Sequence, residues 1–246
     1  MNVCLTSSYK KYRILLSVKQ SDKDTDIVFI NIHGAFGESG DTGSKSFLLG
    51  NTLLKKGISH VVYISTSRNW DRFKKLSKEN KYLAFENKTF SEERQDIIDA
   101  ISNINLNAKK YFQKKNIQLY IVANSIGGTL LSTLVNGFSN IKKIVLCNSG
   151  IRSVLKDRPI ISTIPESEVI SKSASTFRGD LLFLQGTKDG FVPKKFQDEL
   201  FEVYSSANAT KKVINGANHT FSSIYGKDKK TANQIYINEI IDFFSK

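Results

Sequence analysis

The feature that most constrains this chain is its alternation of short, wholly apolar runs with helical patterns. The runs IVFINI (27–32), HVVYIST (60–66), IQLYIVA (117–123), IKKIVLC (141–147) and DLLFLQ (180–185) show almost no polar alternation. Each is long enough for a strand and reads as one buried on both faces. Weaker strands are expected over 12–20 and at KKVING (211–216). Between them lie helical patterns: 47–56 closed by Gly57, GGTLLSTLVNGF (127–138), 194–204 and 231–244. A longer one opens at Ser91 with Glu92 and Glu93, and Ile97, Ile98, Ile101, Ile104, Ala108, Tyr111 and Phe112 recur in it at helical spacing. Strands joined by crossover helices pair in parallel, and a parallel sheet must be covered on both faces. The expected fold class is therefore α/β, with a mostly parallel central sheet of about eight strands flanked by helices.

The 246 residues show no repeat, linker or low-complexity tract, so a single domain over 1–246 is expected. Cys4 and Cys147 are far apart and belong to no CxxC pair. Neither a disulfide framework nor a thiolate metal site follows, and a reducing, cytoplasmic setting fits. Three dispersed histidines give no metal site either. Lys and Arg number 36 against 23 Asp and Glu, a formal charge of +13. The lysines are scattered pairs and arginine is scarce, which describes a solvated surface rather than a nucleic-acid face. No apolar run reaches the about 18 residues a membrane span needs, and the N-terminus lacks a signal-peptide core.

In a parallel sheet, chemistry gathers in the loops that leave the carboxyl ends of the strands. Four such loops stand out. Ala123-Asn124-Ser125-Ile126-Gly127 follows the third of the buried runs, and a serine on a sharp strand-to-helix turn needs small residues two before and two after it. His33-Gly34-Ala35-Phe36-Gly37 follows the first run. Gly186-Thr187-Lys188-Asp189-Gly190-Phe191-Val192-Pro193 follows the fifth, and Gly216-Ala217-Asn218-His219-Thr220-Phe221 follows the last short strand. These segments resemble, in order, the nucleophile elbow, the HGxxG oxyanion loop, the acid loop and the histidine loop of the α/β-hydrolase family, with Ala123 replacing the first glycine of GxSxG. The order Ser, Asp, His is also that family's.

The resemblance covers roughly residues 12–244 and implies antiparallel N-terminal strands. It implies Ser125 as nucleophile, His219 as base, Asp189 as its orienting acid, and the N–H groups of Ala35 and Ile126 as oxyanion donors. Asp180 competes as the acid but precedes its strand. Phe36, Arg68, Trp70, Phe191 and Phe221 flank these loops and are candidates for substrate contact, Arg68 as the partner of a substrate carboxylate. Loop packing and solvation are their alternative roles. His60 and Cys147 read as structural, and Ser149 as a turn residue.

The implied function is a serine hydrolase acting on a carboxylic ester of a small-molecule acyl substrate, with no cofactor, no nucleic-acid partner and no membrane span. A thioesterase, acyltransferase, peptidase or lyase using the same residues, or a catalytically silent binding module, stays open because fold does not fix function. The segment from about 150 to 179, where this family often inserts a cap, is short. A minimal lid implies an open site for small or protruding acyl groups.

Overall fold

In the computed structural model, residues 1–35, 43–68, 86–155, 158–222 and 229–246 are described. Among them eight strands form one sheet: β1 (Asn2–Thr6), β2 (Arg13–Lys19), β3 (Ile27–Ile32), β4 (His60–Ser65), β5 (Gln118–Asn124), β6 (Ile141–Cys147), β7 (Asp180–Lys188) and β8 (Asn208–Asn218). Their spatial order is β1-β2-β4-β3-β5-β6-β7-β8. β2 pairs antiparallel with β1 and with β4, and every other neighbouring pair is parallel. The chain runs outward from β3 to β4 and then returns to the opposite side of β3 as β5. That reversal opens a crevice above the carboxyl ends of β3 and β5, the place where open α/β sheets bind ligands.

Residue alternation along the buried strands divides the core into two layers. Val28, Ile30 and Ile32 of β3 face one side, together with Leu119, Ile121 and Ala123 of β5. They pack on α2 (Phe90–Leu106) and α3 (Ala108–Phe112) through Ile97, Ile101, Ile104 and Phe112. Phe29, Val122, Val145 and Leu184 face the other side, against α1 (Lys45–Lys56) and α8 (Lys229–Ser245). Each such apolar side chain contributes about 1.5–3 kcal/mol by leaving water. Both faces are covered, which is why the strands read as continuous apolar runs.

Several local boundaries differ from the sequence reading. α2 begins one residue earlier than expected, because Thr89 is its N-cap and forms a capping box with Glu92. The long helical pattern is broken at Asn107 (φ −104°, ψ 18°), so Tyr111 and Phe112 belong to α3. β8 has 11 residues where a short strand was expected. β1, whose sequence NVCLT is half exposed, carries too few apolar residues to stand out. The segment between β6 and β7 holds two short helices, α5 (Pro159–Ser162) and α6 (Ser167–Ala174). Among the described residues no helix is long and apolar enough to cross a membrane.

One polar cluster is buried at the carboxyl ends of β3 and β4. Lys88 is fully buried, and its ammonium donates to Ser67 Oγ (2.7 Å), Glu93 Oε2 (2.5 Å) and Asp96 Oδ2 (2.5 Å). Ser67 donates to Asp96 through its N–H (2.8 Å) and its hydroxyl (2.6 Å), and Ser7 donates to the other carboxylate oxygen. Arg68, 6% exposed, pairs with Glu93 Oε1 at 2.7 Å. Its guanidinium also donates to Gly34 O (3.2 Å) and to Ala35 O. Two cations and two carboxylates therefore balance in a buried site that ties α2 to the loop after β3. Arg68 is neither solvated nor free to meet a substrate carboxylate, because Glu93 and the loop carbonyls occupy its guanidinium.

The charges shape one another. Burial alone would raise the Glu93 carboxyl, but the adjacent Arg68 and Lys88 outweigh it and hold it far below the usual carboxylate range. Burial, reinforced by the Arg68 charge, pushes the His33 imidazole down to about 4 from 6.5. Lys88→Met leaves two buried carboxylates short of a cation and is expected to cost about 3–5 kcal/mol in urea unfolding; a loss below about 1 kcal/mol would show the cluster to be dispensable. Unfolding releases His33 to bind a proton below 6.5, whereas folded His33 stays neutral down to about 4. Stability is thus complete above that window and falls as pH drops through it, by about 2 kcal/mol at pH 5 from this residue. Urea melts at pH 7 and pH 5 should show the loss, and His33→Asn should shrink it.

Candidate active site

Ser125 stands between β5 and α4 (Ile126–Ser132) with φ 54° and ψ −126°. A residue with a Cβ costs on the order of 1–3 kcal/mol in such a conformation. The surroundings impose it: the Ser125 N–H donates to Cys147 O and its carbonyl accepts from the Gly128 N–H, each at 2.9 Å. The glycines that follow are steric requirements. A Cβ on Gly127 would lie 2.8 Å from the carbonyl oxygens of both Ile32 and His33, and one on Gly128 would lie 2.0 Å from Ser149 Oγ. Ser149 is buried and donates to Cys147 O at 3.2 Å, which gives it the structural role expected.

β3 and β5 are in register at Ile32 and Ala123, so the loop after β3 arrives beside the serine. A Cβ on Gly34 would come within 3.2 Å of Ser125 Cβ. Arg68 holds the Gly34 carbonyl, and in a trans peptide the Ala35 N–H points opposite to that carbonyl. Ile126 opens α4, and the first N–H groups of a helix have no partner within it. Both N–H groups belong to residues that line the same cavity as Ser125.

At the ends of β7 and β8, His219 Nδ1 lies 3.0 Å from each carboxylate oxygen of Asp189 and donates to that carboxylate. Asp189 is anchored before it meets the ring. It accepts from the N–H groups of Phe191 (2.8 Å) and Val192 (3.1 Å), and from the Gln197 amide of α7 (Lys194–Glu202) at 3.0 Å. Asn148, in left-handed conformation (φ 46°) after β6, braces the opposite side. Its amide donates to Asn218 O and His219 O at 3.0 Å each and accepts from the Gly186 N–H at 2.7 Å. Sequence reasoning passed over Asn148 and Gln197; the only available signal was the position of Asn148 at a strand's carboxyl end. Asp180, by contrast, begins β7 at the far end of the sheet, 3.8 Å from Lys143.

Ser125 and His219 line one cavity of about 420 Å³. Among the described residues no hydrogen bond links the Ser125 hydroxyl to the imidazole, a contact that in such sites commonly tightens when substrate binds. Phe191 lines the cavity, and its exposed ring lies 5.2 Å from that of His219. Phe221 does not face it: the side chain is fully buried, its ring 5.1 Å from that of Tyr236 and tilted 38° to it. Phe36 and Trp70 lie outside the described residues. Leu155, Ile161 and Ile164, from the segment between β6 and β7, line the apolar part of the cavity. His60 is at the opposite end of β4, its ring bonded to Ser21 N–H and Thr25 O. Cys147 is a buried free thiol raised by burial to about 12, so it is inert. Among the described residues no group of His, Cys, Asp and Glu could hold a metal ion.

No family model and no curated protein sequence matches the chain. Solved structures do. Est1E from Butyrivibrio proteoclasticus, with ferulic acid bound, superposes with a TM-score of 0.67 at 14% identity, over 99% of this chain and 100% of that one. An esterase from Exiguobacterium antarcticum gives 0.65 at 11% identity over 100% of both chains. A dienelactone hydrolase from Anabaena variabilis gives 0.69 at 12% identity, over 100% of this chain and 97% of that one. This end-to-end likeness, together with the strand order, establishes that the chain has the α/β-hydrolase fold.

Proposed function

We propose that the protein is a serine hydrolase that cleaves carboxylic esters through an acyl-enzyme. The observation that carries this reading is the Asp189–His219 pair at 3.0 Å, opening into the cavity that the conformationally forced Ser125 also lines. An esterase, a dienelactone hydrolase and a ferulate-bound protein among the structural neighbours support the ester class.

Ser125 Oγ attacks the ester carbonyl while His219 Nε2 takes its proton. Asp189 fixes the tautomer that leaves Nε2 free and stabilises the imidazolium as it forms. Developing charge on the carbonyl oxygen is met by the N–H groups of Ala35 and Ile126, and loss of one such donor costs about 10²- to 10³-fold in rate. His219 returns its proton to the departing alcohol oxygen. Water then attacks the acyl-enzyme, with His219 again as base. The segment between β6 and β7 is short and Phe191 is exposed at the cavity, which supports a preference for small or protruding acyl groups.

Labelling with a fluorophosphonate probe tests the nucleophile: the modification is expected to map to Ser125 and to vanish in Ser125→Ala, whose fold is unchanged. A folded, unlabelled wild type would sink the reading. Asp189→Asn accepts only one oriented bond from the ring and strands His219 in the wrong tautomer, so kcat should fall by about three to four orders of magnitude. Near-normal turnover on a short-chain ester panel would mean that another residue is the acid.

A further inference from the structure

One cation enters the cavity without a carboxylate partner among the described residues. Lys45 is the first residue of α1, and the positive end of a helix dipole is an unfavourable place for a positive charge. No acidic residue stands in that first turn. The side chain reaches from α1 to the histidine loop, where its ammonium donates to Thr220 O at 2.6 Å. It also lies 4.5 Å from the centre of the Tyr236 ring and 5.2 Å from that of Phe221. Lys45, Thr220 and Tyr236 line the same cavity as Ser125 and His219.

The cavity has two unlike ends. Leu155, Ile161, Ile164 and Ile126 form an apolar wall under the segment between β6 and β7. On the α1 and α8 side the lining is polar: Ser44, Lys45, Asn124, Thr220 and Tyr236. Among the described residues the other lining cation, Arg152, is matched by Glu199 at 2.5 Å, and no Asp or Glu lines the cavity. A single ammonium flanked by hydroxyl and amide groups suits a monoanion; a phosphate dianion would call for a second cation or a forked guanidinium.

We propose that Lys45 is a specificity-determining residue that binds a carboxylate carried by the substrate, so that the preferred substrates are esters bearing a free carboxylate a few atoms from the scissile bond. This rests on the serine-hydrolase reading for the position of the ester. Among the described residues the groups facing Lys45 are the Cys147 thiol of β6, the Tyr236 ring of α8 and the Thr220 carbonyl of the histidine loop. Burial raises Cys147 to about 12 and holds Tyr236 well above its ordinary value, so both are neutral at pH 7 to 9. Burial pushes Lys45 itself down to about 8, so its charge fades within that range.

The test compares 4-nitrophenyl hydrogen glutarate with 4-nitrophenyl pentanoate, esters matched in length and differing in a terminal carboxylate. The ratio of their kcat/KM values cancels every pH effect common to the two esters. In the wild type the glutarate ester should be favoured at pH 7, and the ratio should decline as pH rises through about 8. Lys45→Met should cut the ratio about tenfold or more, and Lys45→Arg should retain much of it. A ratio unmoved by charge removal and by pH overturns the proposal and leaves Lys45 as a brace of the histidine loop. If the wild type hydrolyses neither ester, the serine-hydrolase reading fails, and calorimetry decides the Lys45 site alone. Monomethyl glutarate should bind Ser125→Ala more tightly than methyl pentanoate, and the added Lys45→Met should erase the difference; equal binding in Ser125→Ala overturns it.

Discussion

The near-contact of two backbones at the ends of β3 and β5 is the constraint from which the site follows. Carbonyl oxygens of Ile32 and His33 approach α4 so closely that position 127 has no room for a Cβ. That approach brings the loop after β3 against Ser125 and leaves the serine only a backbone geometry that side chains avoid. The parallel sheet supplies the closeness, because β3 and β5 are neighbours in register although about ninety residues separate them in sequence. Interior packing is dense enough that a single methylene at this point has nowhere to go.

A second constraint acts from behind. At the start of the loop after β3, Arg68 grips the Gly34 and Ala35 carbonyls, Glu93 holds Arg68, and Lys88 joins Glu93 to Asp96. The arrangement neutralises its own charge, so it can persist in a dry interior where an isolated ion would be expelled. On the other flank Asn148 and Gln197 do similar work with neutral amides, fixing the histidine and acid loops to β6 and α7. Rigid support of this kind matters because a misplacement of about 1 Å can cost two orders of magnitude in rate.

The fold and the four strand-end loops were legible because each depends on local signals: apolar runs for strands buried on both faces, and small residues around Ser125 for the sharp turn. The pairing of Asp189 with His219 could be read from their order and loop type. The supporting residues could not. Arg68 was read as a solvated or substrate-facing side chain because its partner Glu93 lies 25 positions on, at the start of an amphipathic helix whose acidic residues usually face water. Lys45 resembled every other surface lysine in a strongly basic chain. Phe221 was open to substrate contact or to loop packing from its place beside His219; it packs, with φ 55° and its ring 5.1 Å from that of Tyr236. Partnerships set by long-range packing leave no local pattern to read.

The backbone of Ser125 also has an engineering consequence. Glycine tolerates a positive φ without a Cβ penalty, so Ser125→Gly would relax the conformation that the surrounding hydrogen bonds enforce. A change that relaxes the elbow would therefore delete the proposed nucleophile, a local case of the trade-off between stability and activity. Attempts to harden this protein by consensus or directed evolution would have to be screened for the proposed activity as well as for melting temperature, and the gains sought in surface helices such as α6 rather than at the sheet's carboxyl edge.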